Sequence, residues 1–292
     1  MSPAVRTETD AGVRSVVLSR PEEYNTITPE LRDELGAAID DADSDRDVRV
    51  ILLRADGPAF CAGYGLDWST QAQASEGEAR ERVWDSVADY QMMSRFVATY
   101  MKLWYASKPT IAAVQGWCIA GGTDMVLCAD LIVAGESAVF GYPPARVWGT
   151  PTTAMWVYRM GLEQAKRYLL TGDEIPAPEA ARIGLILEAV PDGELQEHAA
   201  ALARRMARLP VNQLQMLKLL CNQTAESMGM ASTGPSARCS TASHDTRKRA
   251  SISWPDPVRS VSATPCASAT TRSATTARAR GPNAAEARAN DP

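Results

Sequence analysis

The amino-acid sequence predicts an α/β fold, because short apolar segments alternate along the chain with segments of helical periodicity. Apolar runs typical of strands occupy 13–18, 48–54 and 108–114. The second and third lead into glycine-rich turns, AFCAGYGL at 59–66 and GWCIAGGTD at 116–124. A turn between a strand and a helix exposes backbone N–H groups that have no partner inside the helix. Two such turns brought together can hold a carbonyl oxygen while negative charge develops on it.

Helix signals appear between and after these strands. Thr28 followed by Pro29 combines a capping side chain with a first-turn proline, and leucines at helical spacing follow it. Thr150 and Pro151 repeat this pair. From these signals and from the spacing of apolar residues we expect helices after residue 28 and over 75–104, 152–160, 194–209 and 212–221.

The composition changes abruptly near Gly234. From there to the end the chain has no Leu, Phe or Met, while Arg, Ser, Thr, Ala and Pro are abundant. Such a segment cannot bury enough apolar surface to offset the entropy lost on ordering. We therefore predict an α/β core over 1–190, a helical segment over 191–233 and a disordered low-complexity tail over 234–292. A reading-frame shift near Thr233 and a natural low-complexity tail both explain the break.

Charge and hydropathy narrow the classes of function. The 292-residue chain has a net charge of −5, whereas the residues from Gly234 onward carry +5, so the preceding body is strongly acidic. It has no basic stripe for a nucleic acid. No apolar run approaches the roughly 18–20 residues of a membrane span, and the first residues lack the pattern of a secretory signal. We expect a cytoplasmic protein with neither nucleic-acid nor membrane partners.

Histidine and cysteine residues are few and poorly placed for catalysis or metal binding. His198 lies within a predicted helix and His244 in the predicted tail, so neither adjoins a glycine-rich turn. The six cysteines form no Cys-x-x-Cys pair. A Ser-His-Asp or Cys-His hydrolase and a metal centre therefore have little support, and Cys61 is expected to be a buried packing residue.

The glycine-rich runs resemble those of the enoyl-CoA hydratase/isomerase (crotonase) superfamily. The likeness extends over about residues 10–230, with every block in the order that the family has. The further matching blocks are RPEEYN at 20–25, KPTIAAV at 108–114, ADLIVA at 129–134, LTGD at 170–173 and APEAARIGLI at 177–186.

The resemblance implies a spiral of repeated ββα units that acts on an acyl-CoA thioester, with no cofactor besides the coenzyme A of the substrate. The N–H groups of Tyr64 and Gly121 would then form the oxyanion hole. It also implies a homo-oligomer, a trimer or hexamer, whose C-terminal helices close the acyl pocket and build the trimer. Because the chain departs from that pattern at Gly234, those helices are truncated or replaced, and we expect exposed leucines at Leu214, Leu217 and Leu220.

Substrate contacts follow from the same resemblance. The loop with Tyr24 and Thr26 matches the segment that contacts the pantetheine and adenine of coenzyme A, with an ordinary surface loop as the alternative. Trp117 and Trp148 flank the predicted carbonyl site and favour a broad apolar pocket for a medium-sized or ring-bearing acyl group. The expected binding residues are Tyr24, Thr26, Ala62, Gly65, Leu66, Trp117 and Trp148.

Acid–base groups depart from the pattern of the family, whose hydratases use two glutamates to position water and shuttle a proton. The first position falls on Asp124 and the second on Pro144, and proline cannot exchange a proton. Asp124 is therefore the candidate catalytic group, and its place in the first turn of a helix should favour the ionised form. A helix-terminal acid without a chemical role is the alternative. Asp67 is a weaker second candidate.

These observations predict an acyl-CoA enzyme that stabilises a thioester enolate between two N–H groups, while Asp124 moves a proton or orients water. Hydration, isomerisation and decarboxylation through the same enolate all stay open. From a different class, the missing second glutamate and the altered C-terminus also fit a non-catalytic acyl-CoA binder or an inactive truncated homologue. Binding without turnover distinguishes that alternative from an enzyme.

Overall fold

The computed structural model describes residues 3–65, 86–146 and 149–233, which all belong to one compact unit. Strands and helices alternate through this part of the chain. Its strands are β1 (Val5–Asp10), β2 (Val13–Leu18), β3 (Val50–Ala55), β4 (Ala59–Cys61), β5 (Thr110–Val114), β6 (Trp117–Ile119), β7 (Leu131–Gly135), β8 (Val139–Gly141), β9 (Ile175–Pro176) and β10 (Glu188–Val190). Its α-helices are α1 (Pro29–Ser44), α2 (Ser86–Tyr105), α3 (Gly121–Val126), α4 (Met155–Thr171), α5 (Ala177–Arg182), α6 (Leu195–Ala207) and α7 (Val211–Ser227).

A six-stranded sheet forms the larger layer, in the order β1-β2-β3-β5-β7-β10. β1 and β2 form an antiparallel hairpin, and every other neighbouring pair in this sheet is parallel. Strands covered on both faces have continuous apolar sequences. β3 and β5 fit this description, because nearly all of their residues are buried.

A four-stranded sheet, in the order β4-β6-β8-β9, forms a second layer. β4, β6 and β8 are parallel, and β9 pairs with β8 in the antiparallel sense. Three successive units repeat one pattern: a strand of the large sheet, a strand of the small sheet and a helix. These units are β3-β4-α2, β5-β6-α3 and β7-β8-α4. The predicted spiral of ββα units is therefore confirmed. It brings the ends of β4 and β6, where the glycine-rich turns begin, side by side.

Two buried clusters join these layers. The larger lies between the sheets and helices α1 to α5, and the smaller lies between the other face of the large sheet and α6. Residues of β3 alternate between them: Ile51 and Leu53 belong to the larger cluster, and Val50 and Leu52 belong to the smaller. This alternation is the period-2 pattern of a strand buried on both faces.

The predicted helices are present, and their ends differ from the predictions in one important place. α1 begins as expected, since the Thr28 hydroxyl accepts a hydrogen bond from the N–H of Leu31 at 3.2 Å. The predicted cap at Thr150 is wrong, because α4 begins at Met155 without a side-chain cap. The segment before α4 is held instead by side chains of the site described below. Gly161, with a φ of 78°, then interrupts α4 at the point where the predicted helix ended.

The other helix boundaries are close to those predicted. α2 corresponds to the helix expected over 75–104, of which the first part lies outside the described residues. α6 starts just after a 3-10 turn at Asp192–Glu194, and α7 extends beyond the predicted end at 221. The predicted tail, 234–292, lies outside the described residues, and the domain boundary at 190 stays a prediction. Within the described part of the chain, no helix has the length and apolarity that crossing a bilayer requires.

α7 is attached to the body through Lys218. Its Nζ donates to the carbonyl oxygens of Leu103 and Lys108 at 2.9 and 3.0 Å and pairs with the carboxylate of Asp130 at 2.9 Å. Leu214, one turn earlier on the same face, is buried, so its expected exposure is wrong. The opposite side carries exposed apolar residues, including the other two predicted leucines: Met216, Leu217, Leu219 and Leu220.

Candidate active site

The first glycine-rich turn follows β4 and is supported by the loop 20–27. Asn25 is fully buried and satisfies three backbone groups: its Oδ1 accepts the N–H of Arg20, and its Nδ2 donates to two carbonyl oxygens, one before β4 and one in it, at 2.9 and 3.0 Å. The N–H of Ala62 donates to the carbonyl oxygen of Tyr24 at 3.1 Å. The loop that was predicted to contact coenzyme A is thus tied to the turn that was predicted to hold the thioester.

Tyr64 is held by a parallel bridge to Ile27. The N–H of Ile27 donates to the carbonyl oxygen of Gly63 at 2.8 Å, and the N–H of Gly65 donates to the carbonyl oxygen of Ile27 at 3.2 Å. Gly63 has a φ of 90°, a backbone conformation that residues with a side chain rarely adopt. The residues on both sides of Tyr64 are therefore fixed by the backbone alone.

The second turn follows β6 and begins α3. Ala120 has a φ of 52° and a ψ of −121°, a region that costs a non-glycine residue about 1–3 kcal/mol. Two hydrogen bonds hold it there: its N–H donates to the carbonyl oxygen of Gly141 at 2.9 Å, and its carbonyl oxygen accepts from the N–H of Asp124 at 3.1 Å. Gly121 is the first residue of α3, so its N–H has no partner within that helix.

The two turns meet at Gly63 and Gly121. A Cβ added to Gly63 would lie 3.7 Å from the nitrogen of Gly121. A Cβ added to Gly121 would lie 2.5 Å from Cε2 of Tyr64 and 2.9 Å from Cδ1 of Ile27. The ring of Tyr64 therefore lies directly against Gly121, and the two residues predicted to supply the oxyanion donors are neighbours.

Asp124 is fully buried one turn into α3. Its Oδ2 accepts hydrogen bonds from the N–H and the hydroxyl of Thr152, at 2.7 and 2.8 Å. Its Oδ1 accepts a hydrogen bond from the indole N–H of Trp156 at 2.8 Å. Both carboxyl oxygens are thus engaged by groups that come from the segment around the start of α4.

Burial raises the pKa of Asp124 to about 6, and the hydrogen bonds from Trp156 and Thr152 limit the increase. We expected the helix start to favour the ionised form. That expectation is wrong. The loss of water around the completely buried carboxylate raises its pKa by more than the hydrogen-bond donors around it lower it. A pKa near 6 suits a group that takes up and releases a proton close to neutral pH.

The hydroxyl of Tyr64 joins Asp124 to α2. It accepts a hydrogen bond from the hydroxyl of Tyr100 at 3.2 Å and is hydrogen-bonded to the side chain of Thr152. The ring of Tyr64 also meets Phe96 edge to face, with centroids 5.4 Å apart. Burial raises the pKa of both tyrosine hydroxyls. A continuous chain of hydroxyl groups therefore runs from Tyr100 through Tyr64 and Thr152 to Asp124.

Three members of this cluster were not predicted from the sequence: Thr152, Trp156 and Tyr100. The Thr-Pro-Thr-Thr run at 150–153 carried a signal, since it offered hydroxyl groups next to a helix, but we interpreted it as a cap. Trp156 is completely buried, with its indole N–H on Asp124.

The remaining predicted binding residues have different positions. Tyr24 is 40% exposed, and the hydroxyl of Thr26 donates to a carbonyl oxygen of its own loop at 2.6 Å. Trp117 is half-buried at the start of β6. Three candidates lie outside the described residues: Leu66, Asp67 and Trp148.

Other candidate groups have structural surroundings. Pro144 lies in a 3-10 turn, Pro143–Arg146, at the position where family hydratases have their second glutamate. Burial raises the pKa of Cys61 to about 12, so its side chain stays a thiol. His198 is 2.8 Å from the carboxylate of Glu188, at the surface of α6. The described residues contain no group of three His, Cys, Asp or Glu side chains arranged to hold a metal ion.

A cavity of about 350 Å³ adjoins the cluster and shares Thr152 with it. Its wall comes from α2, the start of α4 and the chain after α7. Ser94 and Thr153 also line it, and the hydroxyl group of neither has a hydrogen-bond partner among the residues that the structure describes. The rest of the wall is mainly apolar: Val97, Ala98, Met101, Ala154, Met155 and Met230.

A spiral of ββα units whose two glycine turns meet beside a buried carboxyl defines a protein of the crotonase fold. The enoyl-CoA hydratase/isomerase family model matches residues 8–252, and the chain belongs to that family. The match continues past Gly234, beyond the point where we ended the resemblance.

Individual relatives agree with this assignment. EchA13 of Mycobacterium tuberculosis, whose name places it among the enoyl-CoA hydratases, is 34% identical over 252 residues, which cover 78% of this chain and 76% of that protein. Hydroxycinnamoyl-CoA hydratase-lyase of Pseudomonas fluorescens is 29% identical over 207 residues, 69% of this chain and 72% of its own. The crystal structure of enoyl-CoA hydratase from Mycobacterium smegmatis matches with a TM-score of 0.78 and 39% identity, covering 85% of this chain and 87% of that one. The relatives differ in the reaction that their names state.

Proposed function

We propose that this protein is an acyl-CoA enzyme of the enoyl-CoA hydratase/isomerase type that stabilises a thioester enolate. The observation that carries the proposal is the meeting of the two turns, in which Tyr64 lies against Gly121 and Asp124 follows one turn later. The thioester oxygen would accept hydrogen bonds from the backbone N–H groups of Tyr64 and Gly121. Removing one donor of this kind typically costs on the order of 3 kcal/mol of transition-state stabilisation.

Asp124 is proposed as the group that finally takes up the proton. Its pKa of about 6 lies close to neutral pH, where acid–base catalysis is most efficient. A single carboxyl can remove a proton from one carbon of the substrate and return it to another. Because Pro144 cannot exchange a proton, the site favours isomerisation of an enoyl thioester over the addition of water by two carboxyl groups.

Hydration is the second candidate reaction, and the names of the relatives favour it. In that reaction a different group would have to activate water at the position of Pro144. The two reactions give different products from the same enoyl-CoA thioester, a shifted double bond or a hydroxyl group, so product analysis separates them.

The substrate is proposed to bring coenzyme A as its carrier, with no other cofactor. Tyr24 and Thr26 would contact the carrier, because their loop is bonded to the first turn through Ala62. The acyl group would extend into the cavity of about 350 Å³ that shares Thr152 with the Asp124 cluster. The mainly apolar wall favours a medium-sized acyl group.

The oligomeric state belongs to the same proposal. Leu217 and Leu220 are 46% and 64% exposed on the outer side of α7, next to other exposed apolar residues. A contiguous apolar face of this kind favours association. We propose that a second copy of this chain covers it, as in the trimer or hexamer that the resemblance implies.

The function is tested by incubating the full chain with a panel of enoyl-CoA and β-ketoacyl-CoA thioesters in D2O and analysing the products by mass spectrometry. We expect deuterium at the α-carbon with wild-type protein, and its loss in Asp124→Asn while the thioester still binds. Asp33→Asn, which removes an exposed acid on α1, is the matched control. Binding of every thioester without deuterium uptake or product would identify a non-catalytic acyl-CoA binder instead.

A further inference from the structure

Tyr64 brings two polar groups to the site, its backbone N–H and its side-chain hydroxyl, and the proposed function uses only the first. A Cβ added to Gly121 would lie 2.9 Å from Cζ of Tyr64, the ring carbon that bears the hydroxyl. A thioester held between the two N–H groups would therefore lie beside this ring. No other side chain of the hydroxyl chain touches the glycine turns in this way among the described residues.

Asp124 itself is poorly placed to touch a substrate carbon. The residue is completely buried, and its two carboxyl oxygens already accept three hydrogen bonds, two from Thr152 and one from Trp156. Direct contact with the substrate would require the carboxyl group to become accessible. Tyr64 is only partly buried, and an indirect route through the hydroxyl groups leaves the carboxyl group in place.

The hydrogen-bonding capacity of each group sets the direction of the chain. An ionised carboxylate only accepts, so Thr152 gives its hydroxyl proton to Oδ2 of Asp124 at 2.8 Å. Thr152 is hydrogen-bonded to Tyr64. While its one hydroxyl proton is donated to ionised Asp124, Thr152 has only lone pairs left for Tyr64. Tyr64 in turn accepts from Tyr100 at 3.2 Å. With Asp124 ionised, these capacities orient the hydroxyl protons toward Asp124.

We propose that the hydroxyl of Tyr64 is the catalytic group that exchanges a proton with the substrate carbon, and that Asp124 acts through Thr152 as the terminal proton acceptor. Tyr100 is then a positioning residue, because its hydroxyl bonds to Tyr64. This inference rests on the proposed function, since it needs a thioester between the two turns.

The transfer balances without any co-reactant. The bond between the α-carbon and its hydrogen breaks, its electron pair enters the enolate, and the negative charge goes to the thioester oxygen. The proton moves to the oxygen of Tyr64, the proton of Tyr64 moves to Thr152, and the proton of Thr152 moves to Asp124. The three transfers must be concerted, because a threonine alkoxide is far too basic to form. The reverse sequence returns a proton to carbon.

The test compares Tyr64→Phe with wild-type protein in the deuterium-uptake assay. Phenylalanine keeps the backbone N–H and the ring that packs on Gly121 and Phe96, and it removes only the hydroxyl. We expect deuterium uptake to fall by about 100-fold or more, while the dissociation constant of the thioester, measured by calorimetry, changes by less than about threefold. Tyr168→Phe is the matched control, since the hydroxyl of Tyr168 contacts Glu179 outside the site at 3.1 Å.

Two further variants test the relay without changing Tyr64. Thr152→Val should lower deuterium uptake by about 100-fold or more and Thr152→Ser should retain it, because only serine keeps the hydroxyl that links Tyr64 to Asp124. Wild-type uptake in both Tyr64→Phe and Thr152→Val would overturn the relay and leave the proposed function standing. Wild-type protein that binds thioesters but exchanges no proton and forms no product would overturn the proposed function, and the relay with it.

Discussion

Thr152 donates both its backbone N–H and its hydroxyl to the same oxygen of Asp124, at 2.7 and 2.8 Å. The two residues are 28 positions apart in the chain, and this pair of hydrogen bonds joins α3 to the segment before α4. It also explains why the threonine-rich run does not cap that helix. The donors stabilise the carboxylate, so they control the pH at which Asp124 can accept a proton.

Thr152→Val should move the pH dependence of the reaction. In the proposed function ionised Asp124 is the proton acceptor, so kcat/KM should rise with pH through about 6 in the wild type. Losing the hydroxyl donor destabilises the carboxylate, so the remaining activity should have its inflection about one to two pH units higher. Thr153→Val is the matched control, because its hydroxyl has no partner among the described residues, and its inflection should equal that of the wild type.

The groups that surround Asp124 do not complicate this titration. Among the described residues, those that interact with it electrostatically are Tyr64, Tyr100, Tyr142, Cys118 and Cys128. Burial raises the pKa of every one of them, so all stay neutral over the range in which Asp124 titrates. An inflection that is the same in wild type and Thr152→Val would show that another group controls the rate.

Asp124→Asn should also change how stability depends on pH. The pKa of Asp124 is about 6 in the folded protein and 3.8 as its ordinary value. The folded state therefore binds more protons between these values, and wild-type stability should fall as pH rises from about 4 to 6. The loss relative to Asp124→Asn should be about 3 kcal/mol. Urea unfolding at several pH values measures it, and parallel curves for the two proteins would contradict the buried ionisation.

Gly121→Ala should displace the ring of Tyr64. The new Cβ would lie 2.5 Å from Cε2 and 2.9 Å from Cζ of that ring, well inside van der Waals contact. A shift of about 1 Å in a reacting group can lower activity about 100-fold, and we expect kcat to fall by that order. Gly193→Ala is the control, since nothing lies within 4 Å of its added Cβ. Wild-type kcat in folded Gly121→Ala would mean that Tyr64 is free to move away.

Lys218→Met should strongly destabilise the protein. Lys218 and Asp130 are both largely buried, and burial lowers the pKa of the lysine and raises that of the aspartate while their pairing opposes both shifts. Removing the cation leaves a buried carboxylate uncompensated, at a cost of about 3–5 kcal/mol in the free energy of unfolding. Adding Asp130→Asn should recover part of the loss, and Lys166→Met, on an exposed face, should change stability by less than about 0.5 kcal/mol. Chemical denaturation tests all three.

The apolar face of α7 makes a prediction about assembly. Leu217→Glu with Leu220→Glu should shift the full chain to smaller species in sizing chromatography and light scattering, because two charges enter the proposed contact with a second copy. Leu170→Glu is the control, as this leucine is 81% exposed on α4. An elution volume that is the same for the double variant and the wild type would remove α7 from the contact.

Local signals were sufficient for the order of the elements and for the position of the two turns. A proline after a threonine starts α1, and positive φ at Gly63 requires glycine, whatever the rest of the chain does. Apolar runs that are too short for helices become strands of a parallel sheet. The resemblance to the crotonase superfamily then assigned the two oxyanion candidates and Asp124 to positions in these turns.

The surroundings of those residues depend on contacts between distant parts of the chain, and only the folded structure decides them. The hydroxyl groups at 150–153 could either cap a helix or donate a hydrogen bond to Asp124. Thr152 donates to Asp124, because that buried carboxylate needs donors from the protein in place of water. The same long-range contacts bring Tyr100 to Tyr64, raise the pKa of Asp124 and turn Leu214 toward the body. Burial is a property of the whole fold, and local spacing carries no information about which face of a helix finds a partner.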